Sequence, residues 1–147
     1  MAREGLAERL TEAGRTATFR FAEPTDERPC RLANNVKSYG MFWQEWIHGI
    51  AGNKPARLWG REERGHNSTF SKRKPIYLLL DRMVHYGKKS PPEAFRVLEM
   101  HFPGKNFGVI AEEIRNRELN GTLHPDLADP HHPLQLQRPK KRRRRNA

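Results

Sequence analysis

Helix-start and helix-stop residues divide the middle of this chain into short periodic segments, and this pattern limits the possible fold more than any other feature. The clearest boundary is the run Ser90-Pro91-Pro92-Glu93, which has the spacing of a capping box with proline at the first helical position. After it, Phe95, Leu98 and Phe102 recur at three- and four-residue intervals. Segments of this kind predict a small all-α domain of about four to five helices.

Five helices are predicted in this region. Pro75 lies inside the third and cannot donate a backbone hydrogen bond, so we expect the regular part of that helix to begin only at Lys74 or Pro75. The five segments are a helix over 39–48 capped by Ser38, a short helix from Pro55, one from about 69 to Gly87, one from Pro91, and one over 106–118.

The length of 147 residues and the hydrophobic content of 35% leave room for one modest core with terminal segments. Residues 1–31 are predicted to form a short helix around Leu6 and Leu10 and then a linker, and residues 32–120 the folded domain. Residues 121–147 are rich in histidine, proline and glutamine. They are predicted to be a disordered tail that buries no core.

The charge balance of the chain favours a polyanionic partner. Lysine and arginine number 28 against 17 acidic residues, a formal net charge of +11. No run approaches the roughly 18 apolar residues of a membrane span, so no membrane partner is expected. Cys30 is the only cysteine, which fits a soluble protein in a reducing compartment.

The end of the chain carries the densest positive charge. Its basic run has the composition of a nuclear localisation signal, which predicts a nuclear protein bound by an import receptor. A general polyanion-binding tail is the alternative, and the two are compatible. The run consists of Lys140, Lys141, Arg142, Arg143, Arg144 and Arg145.

A second concentration of basic residues lies between residues 57 and 89, a stretch that contains nine basic and three acidic residues. Lys72, Arg73 and Lys74 fall at the predicted start of the third helix, the end at which the helix dipole disfavours cations. A helix that enters the major groove of DNA with its N-terminal residues would explain them. The alternative is a solvated basic face without a ligand.

Other residue types point to structure and not to chemistry. Six aromatic residues are predicted to form the core: Phe42, Trp43, Trp46, Trp59, Phe70 and Tyr77. The seven histidines contain no pair four residues apart on one helix with a carboxylate partner, so no metal and no cofactor are expected. No catalytic motif is present, and the chain is not expected to be an enzyme.

The order of several motifs resembles the C-terminal DNA-binding domain of the fungal glycolytic-gene activators, the Gcr-type domain. The similar residues are Asn35-Val36-Lys37-Ser38, then Phe42-Trp43-Gln44-Glu45-Trp46 with Gly49, then Phe70-Ser71-Lys72-Arg73-Lys74 before Ile76-Tyr77. The resemblance covers about residues 32–102. It implies a helical domain, in the style of helix-turn-helix or Myb-like domains, that binds duplex DNA in transcription. It further implies that Ser71, Lys72, Arg73 and Lys74 contact DNA and that Trp43 and Trp46 support the scaffold.

The leading hypothesis is therefore sequence-preferring duplex DNA binding in transcription regulation, with other transcription proteins as further partners. Phosphate contacts are predicted from Arg61, Arg64, Lys88 and Lys89, and base-edge contacts from Asn67, Lys72, Arg73 and Lys74. One alternative is the DNA-binding remnant of a mobile-element recombinase, and another is a nonspecific basic RNA-binding protein. The DNA site, the target genes, activation or repression, and the oligomeric state stay open.

Overall fold

A computed structural model describes residues 26–104 and 106–136. Within these ranges the chain forms five α-helices and one 3-10 turn and no strand, which confirms a small all-α fold for the described part. The elements are α1 (Tyr39–Ile47), the 3-10 turn (Ala56–Leu58), α2 (Arg61–Gly65), α3 (Ser68–His85), α4 (Pro91–His101) and α5 (Phe107–Asn120). No helix in these ranges is long and apolar enough to cross a membrane.

The helix boundaries follow from side-chain caps. The Ser38 hydroxyl accepts the Met41 N–H and begins α1, and Ser90 and Glu93 form the expected capping box of α4. Asn106 caps α5, which ends at Gly121 in the left-handed conformation. The predicted starts of α1 and α4 are confirmed.

The prediction that the third helix becomes regular only at Lys74 or Pro75 is wrong. Asn67 caps α3, which begins at Ser68 and continues through Pro75. A proline at this position leaves the carbonyl four residues earlier, that of Ser71, without its helical N–H donor. The Arg115 guanidinium from α5 donates to this Ser71 oxygen at 3.2 Å, so a neighbouring helix supplies the missing hydrogen bond.

Helix α3 is the centre of the core and packs against α1, α2, α4 and α5. Tyr77 on α3 is fully buried and stacks on Trp46 of α1 with ring centroids 5.2 Å apart. Phe70, also on α3, stacks on Trp59 at 5.4 Å. Phe42 is likewise buried, whereas Trp43 is half-buried at the edge of the core near His85. These rings fill the space between the first and third helices.

The segment after α5 also belongs to the core. Leu123 and Leu127 are buried, and buried Arg82 of α3 donates to the Leu127 carbonyl at 2.8 Å. Arg82 also pairs with Glu118 at 3.0 Å, and Glu118 accepts the Leu134 N–H at 2.8 Å. The expectation of a disordered tail from residue 121 is therefore wrong for residues 121–136. The helix predicted near Leu6 and the basic run at 140–145 lie outside the described residues.

Replacement of Leu127 by alanine tests whether this segment stabilises the fold. Because Leu127 is 3% exposed, Leu127→Ala should lower the free energy of unfolding by about 2–5 kcal/mol in urea denaturation. Leu136→Ala, at a half-exposed position outside the core cluster, should cost less than about 1 kcal/mol. Equal effects of the two changes would show that the segment does not contribute to the core.

Candidate nucleic-acid interface

The three consecutive basic residues of α3 point in three directions, because each residue of a helix is rotated by about 100° from the one before. They also lie in the second turn of α3, beyond the first turn in which the helix dipole acts most strongly on charge. Lys72 is exposed, Arg73 enters the core, and Lys74 is half-buried on the far side. Lys72 and Arg73 border one surface depression and Lys74 borders another, so the three side chains do not form a single group.

Arg73 belongs to a buried polar network with Glu45 of α1. Its Nη1 lies 2.7 Å from Glu45 Oε1, and its Nη2 donates to the Ala33 carbonyl at 2.7 Å. Glu45 is 1% exposed and also accepts the Ala33 N–H and the Tyr77 hydroxyl. Burial and then the Glu45 charge raise the pKa of Tyr77 well above its usual value. These contacts engage the Arg73 guanidinium with a buried carboxylate and a backbone carbonyl, so they disfavour the predicted contact of Arg73 with DNA.

Four basic side chains gather on the other side of α3, around a surface depression with a volume of about 490 Å³. Arg61, Arg64 and Lys74 line it together with Ser71, and Trp59 and Phe70 form its apolar floor. Arg115 of α5 joins them through its bond to the Ser71 carbonyl. We call this group, Arg61, Arg64, Lys74 and Arg115, the cationic depression.

Arg64 is fixed in the depression by neutral groups. Its Nε donates to the Trp59 carbonyl at 3.0 Å and its Nη2 to the Arg57 carbonyl at 2.9 Å. The guanidinium lies 5.1 Å from the centre of the Phe70 ring and 5.6 Å from that of Trp46. Partial burial lowers the pKa of Arg64. No carboxylate among the described residues pairs with it, so the positive charge is held in place without an anion.

Fewer groups offset the positive charge of Lys74 than that of Arg64. Partial burial lowers the pKa of Lys74, and the nearby charges of Arg64 and Arg115 lower it further. Within the described ranges its ammonium has no hydrogen-bond or ion-pair partner. Arg115 has a carboxylate partner, the half-exposed Glu112 at 2.7 Å. Glu62 and Glu63 also lie on α2, but no acidic side chain lines the depression itself, so its lining favours an anionic ligand.

The remaining predicted contacts lie elsewhere or have other partners. Asn67 caps α3, and its Oδ1 accepts the Phe70 N–H at 2.9 Å. Lys88 is exposed with a φ of 58° in the turn after α3, and Lys89 follows it. The turn lies more than about 15 Å from Lys74 along the helix axis, at 1.5 Å per residue. The sequence did not predict that Arg115 lies beside Lys74, because this position depends on the packing of α5 on α3.

Comparison with protein-family models, with curated proteins and with solved structures found no match to this chain. The resemblance to the Gcr-type domain therefore stays a prediction from the residues.

Adjacent substitutions on α3 distinguish the interior role of Arg73 from a surface role. Arg73→Met leaves the buried Glu45 charge without its cation and should lower the free energy of unfolding by about 3–5 kcal/mol. Lys72→Met, at the exposed neighbouring position, should change it by less than about 0.5 kcal/mol. Urea denaturation of both variants provides the measurement. A loss in Arg73→Met no larger than that in Lys72→Met would contradict the buried network.

The uncompensated charge of Lys74 gives a pH-dependent stability. Since folding lowers the pKa of Lys74 below its ordinary value, 10.5, the charged form destabilises the native state at neutral pH. Lys74→Met should therefore be more stable than the wild type at pH 7, and this difference should shrink as the pH rises towards 10.5. Free energies of unfolding of both proteins at pH 7, 8.5 and 10 test this. A less stable variant at pH 7, or a difference that grows with pH, would contradict it.

Proposed function

We propose that this chain binds duplex DNA with a preference for sequence and acts in transcription regulation in the nucleus. The single observation that carries the proposal is the cationic depression beside the first turns of α3. The Gcr-type resemblance points to the same partner. The basic run at 140–145 supports both nuclear import and added affinity for a polyanion.

The charge of the depression suits the DNA backbone. Phosphate oxygens are bound by arginine and lysine side chains, and such contacts position a protein on the duplex without reading its sequence. Arg61 is exposed and Lys74 is half-exposed, so both charges can adjust to a phosphate. Arg64 is already oriented by the backbone carbonyls to which it donates. A phosphate in the depression would supply the anion that Lys74 lacks.

The start of α3 suits a contact with the base edges. The short helix α2 is separated from α3 by only two residues, His66 and Asn67, so it lies close to the start of α3. Ser68, Ser71 and Lys72 are exposed on the first two turns of α3, and Ser71 also lines the depression. In our proposal these turns enter the major groove, while the neighbouring depression holds the backbone. Arg73 acts from the interior by fixing α3 on α1.

The two alternatives have less support. Sequence-specific RNA modules of the aromatic-sheet type need strands, and the described ranges contain none. A recombinase needs a tyrosine nucleophile near a cluster of cations. Tyr77 donates to Glu45, Tyr39 is buried, and Tyr86 stacks on His132, and none of the three lines the depression.

The salt dependence of DNA binding tests the depression directly. Each phosphate contact that is lost should lower the slope of log affinity against log salt by about 0.9. Lys74→Gln and Arg61→Gln in the full chain should each reduce the slope by about this amount and weaken binding at low salt. Fluorescence anisotropy with a labelled duplex at four or more salt concentrations measures both effects.

Arg96→Gln is the matched control, because Arg96 is exposed on α4 and does not line the depression. Unchanged slopes in Lys74→Gln and Arg61→Gln, or an equal change in Arg96→Gln, would overturn the proposed site. Selection from random duplexes with the wild type supplies the specific sequence. A failure to enrich any motif would contradict sequence preference, and tighter binding of a matched RNA duplex would favour the RNA alternative.

A further inference from the structure

Two histidines and one carboxylate meet where the end of α4 lies against the segment that follows α5. His101 is the last residue of α4, and His124 and Asp126 lie in the turn after Gly121. One potential ligand atom from each residue lies within 4.8 Å of the others. Among residues 26–104 and 106–136, no other group of histidine, cysteine or acidic residues meets this condition.

We propose that His101, His124 and Asp126 bind a divalent first-row transition-metal ion, with Zn²⁺ as the reference metal. The site goes beyond the proposed DNA binding and lies on residues that do not line the cationic depression. Two imidazoles and one carboxylate form a donor set that suits Zn²⁺ and its neighbours. Mg²⁺ and Ca²⁺ prefer sites made of oxygen ligands and should bind far more weakly.

The distances fit a small tetrahedral ion. Ligands at about 2.0–2.2 Å from a tetrahedral Zn²⁺ are separated by about 3.3 Å. His101 Nε2 lies 3.0 Å from Asp126 Oδ2, and His124 Nδ1 lies 3.4 Å from the same oxygen. His124 Nδ1 also accepts the Asp126 N–H at 3.1 Å, so an ion bound by Nδ1 would replace this hydrogen bond. A small shift of this turn would let all three atoms face one ion.

The ligands are held before an ion arrives. Leu123 and Leu127 are buried on either side of the turn, and the Leu127 and Ala128 N–H groups donate to the His124 carbonyl at 2.8 and 2.9 Å. The His101 side chain is 18% exposed, and its ring centroid lies 4.3 Å from that of His124. Little conformational freedom is therefore lost on binding, which favours affinity.

The position of the site indicates what a bound ion would do. Asp126 and His124 are half-exposed, so a fourth ligand position would be open to water. The ion would join the C-terminal end of α4 to the segment that Arg82 and Glu118 fix on α3 and α5. We expect it to stabilise the native state, since an ion that binds the folded chain and not the unfolded one shifts the equilibrium towards folding.

Metal titration of the untagged full chain tests the proposal. All seven histidines and Cys30 lie within the described ranges, so the variants can cover every histidine and thiol ligand. After removal of metal with a chelator, isothermal titration with ZnCl₂ should show one site, and Zn²⁺ should raise the Tm whereas Mg²⁺ should not. Co²⁺ should bind at the same site with visible absorption bands. His101→Gln and Asp126→Asn should each weaken Zn²⁺ binding at least about tenfold, because even the loss of an outer-shell partner costs about 10- to 100-fold.

His48→Gln is the matched control, because His48 is exposed at the end of α1 and does not belong to the cluster of His101, His124 and Asp126. Far-UV circular dichroism must first show that each variant is folded, and two different ligand substitutions guard against the failure of one. Zn²⁺ affinity that is unchanged in both His101→Gln and Asp126→Asn would overturn the site. Binding that is lost instead in His131→Gln or His132→Gln would place the ion elsewhere and would also overturn it.

Discussion

The buried ion pair between Arg73 and Glu45 is the contact on which the arrangement of this domain depends. A carboxylate that is 1% exposed is stable only when a cation and hydrogen-bond donors surround it. Arg73, Tyr77 and the Ala33 N–H supply these, and together they join α3, α1 and the segment before α1. Because Arg73 must face inward, the rotation of the helix directs Lys72 and Lys74 outward on different sides. The same pair therefore holds the core together and distributes the surface charge.

A second long-range contact connects the fold to the candidate interface. Helix α3 continues through Pro75, and Arg115 donates to the Ser71 carbonyl that the proline leaves without a helical donor. That contact also brings a fourth cation beside Lys74, whose pKa is lowered first by partial burial and then by the charges of Arg64 and Arg115. The Arg115 side chain thus supplies a hydrogen bond to the backbone of α3 and adds a positive charge to the depression. This gives the depression a fixed geometry without the aid of a ligand.

Local signals predicted what depends on local interactions. The capping residues Ser38 and Ser90 mark the starts of α1 and α4 because each cap bonds within its own first turn. Helix α2 was missed, since its sequence, Arg61–Gly65, contains no apolar residue that could show periodicity. The core position of Leu127 and the meeting of His101 with the turn after α5 were also missed, because they depend on packing between residues far apart in sequence.

The basic motif of α3 shows why a sequence motif predicts the fold of a chain more directly than it predicts the ligand. Within Phe70-Ser71-Lys72-Arg73-Lys74, the ring of Phe70 is buried, the Ser71 carbonyl accepts from α5, and Arg73 pairs with a buried acid. Three of the five residues thus serve the interior, and only the two lysines carry charge that is free for a partner. The remaining charge of the depression comes from α2 and α5, outside the motif. A chain could therefore retain the motif for its fold and lose DNA binding through changes elsewhere, so the function must be judged from the assembled surface.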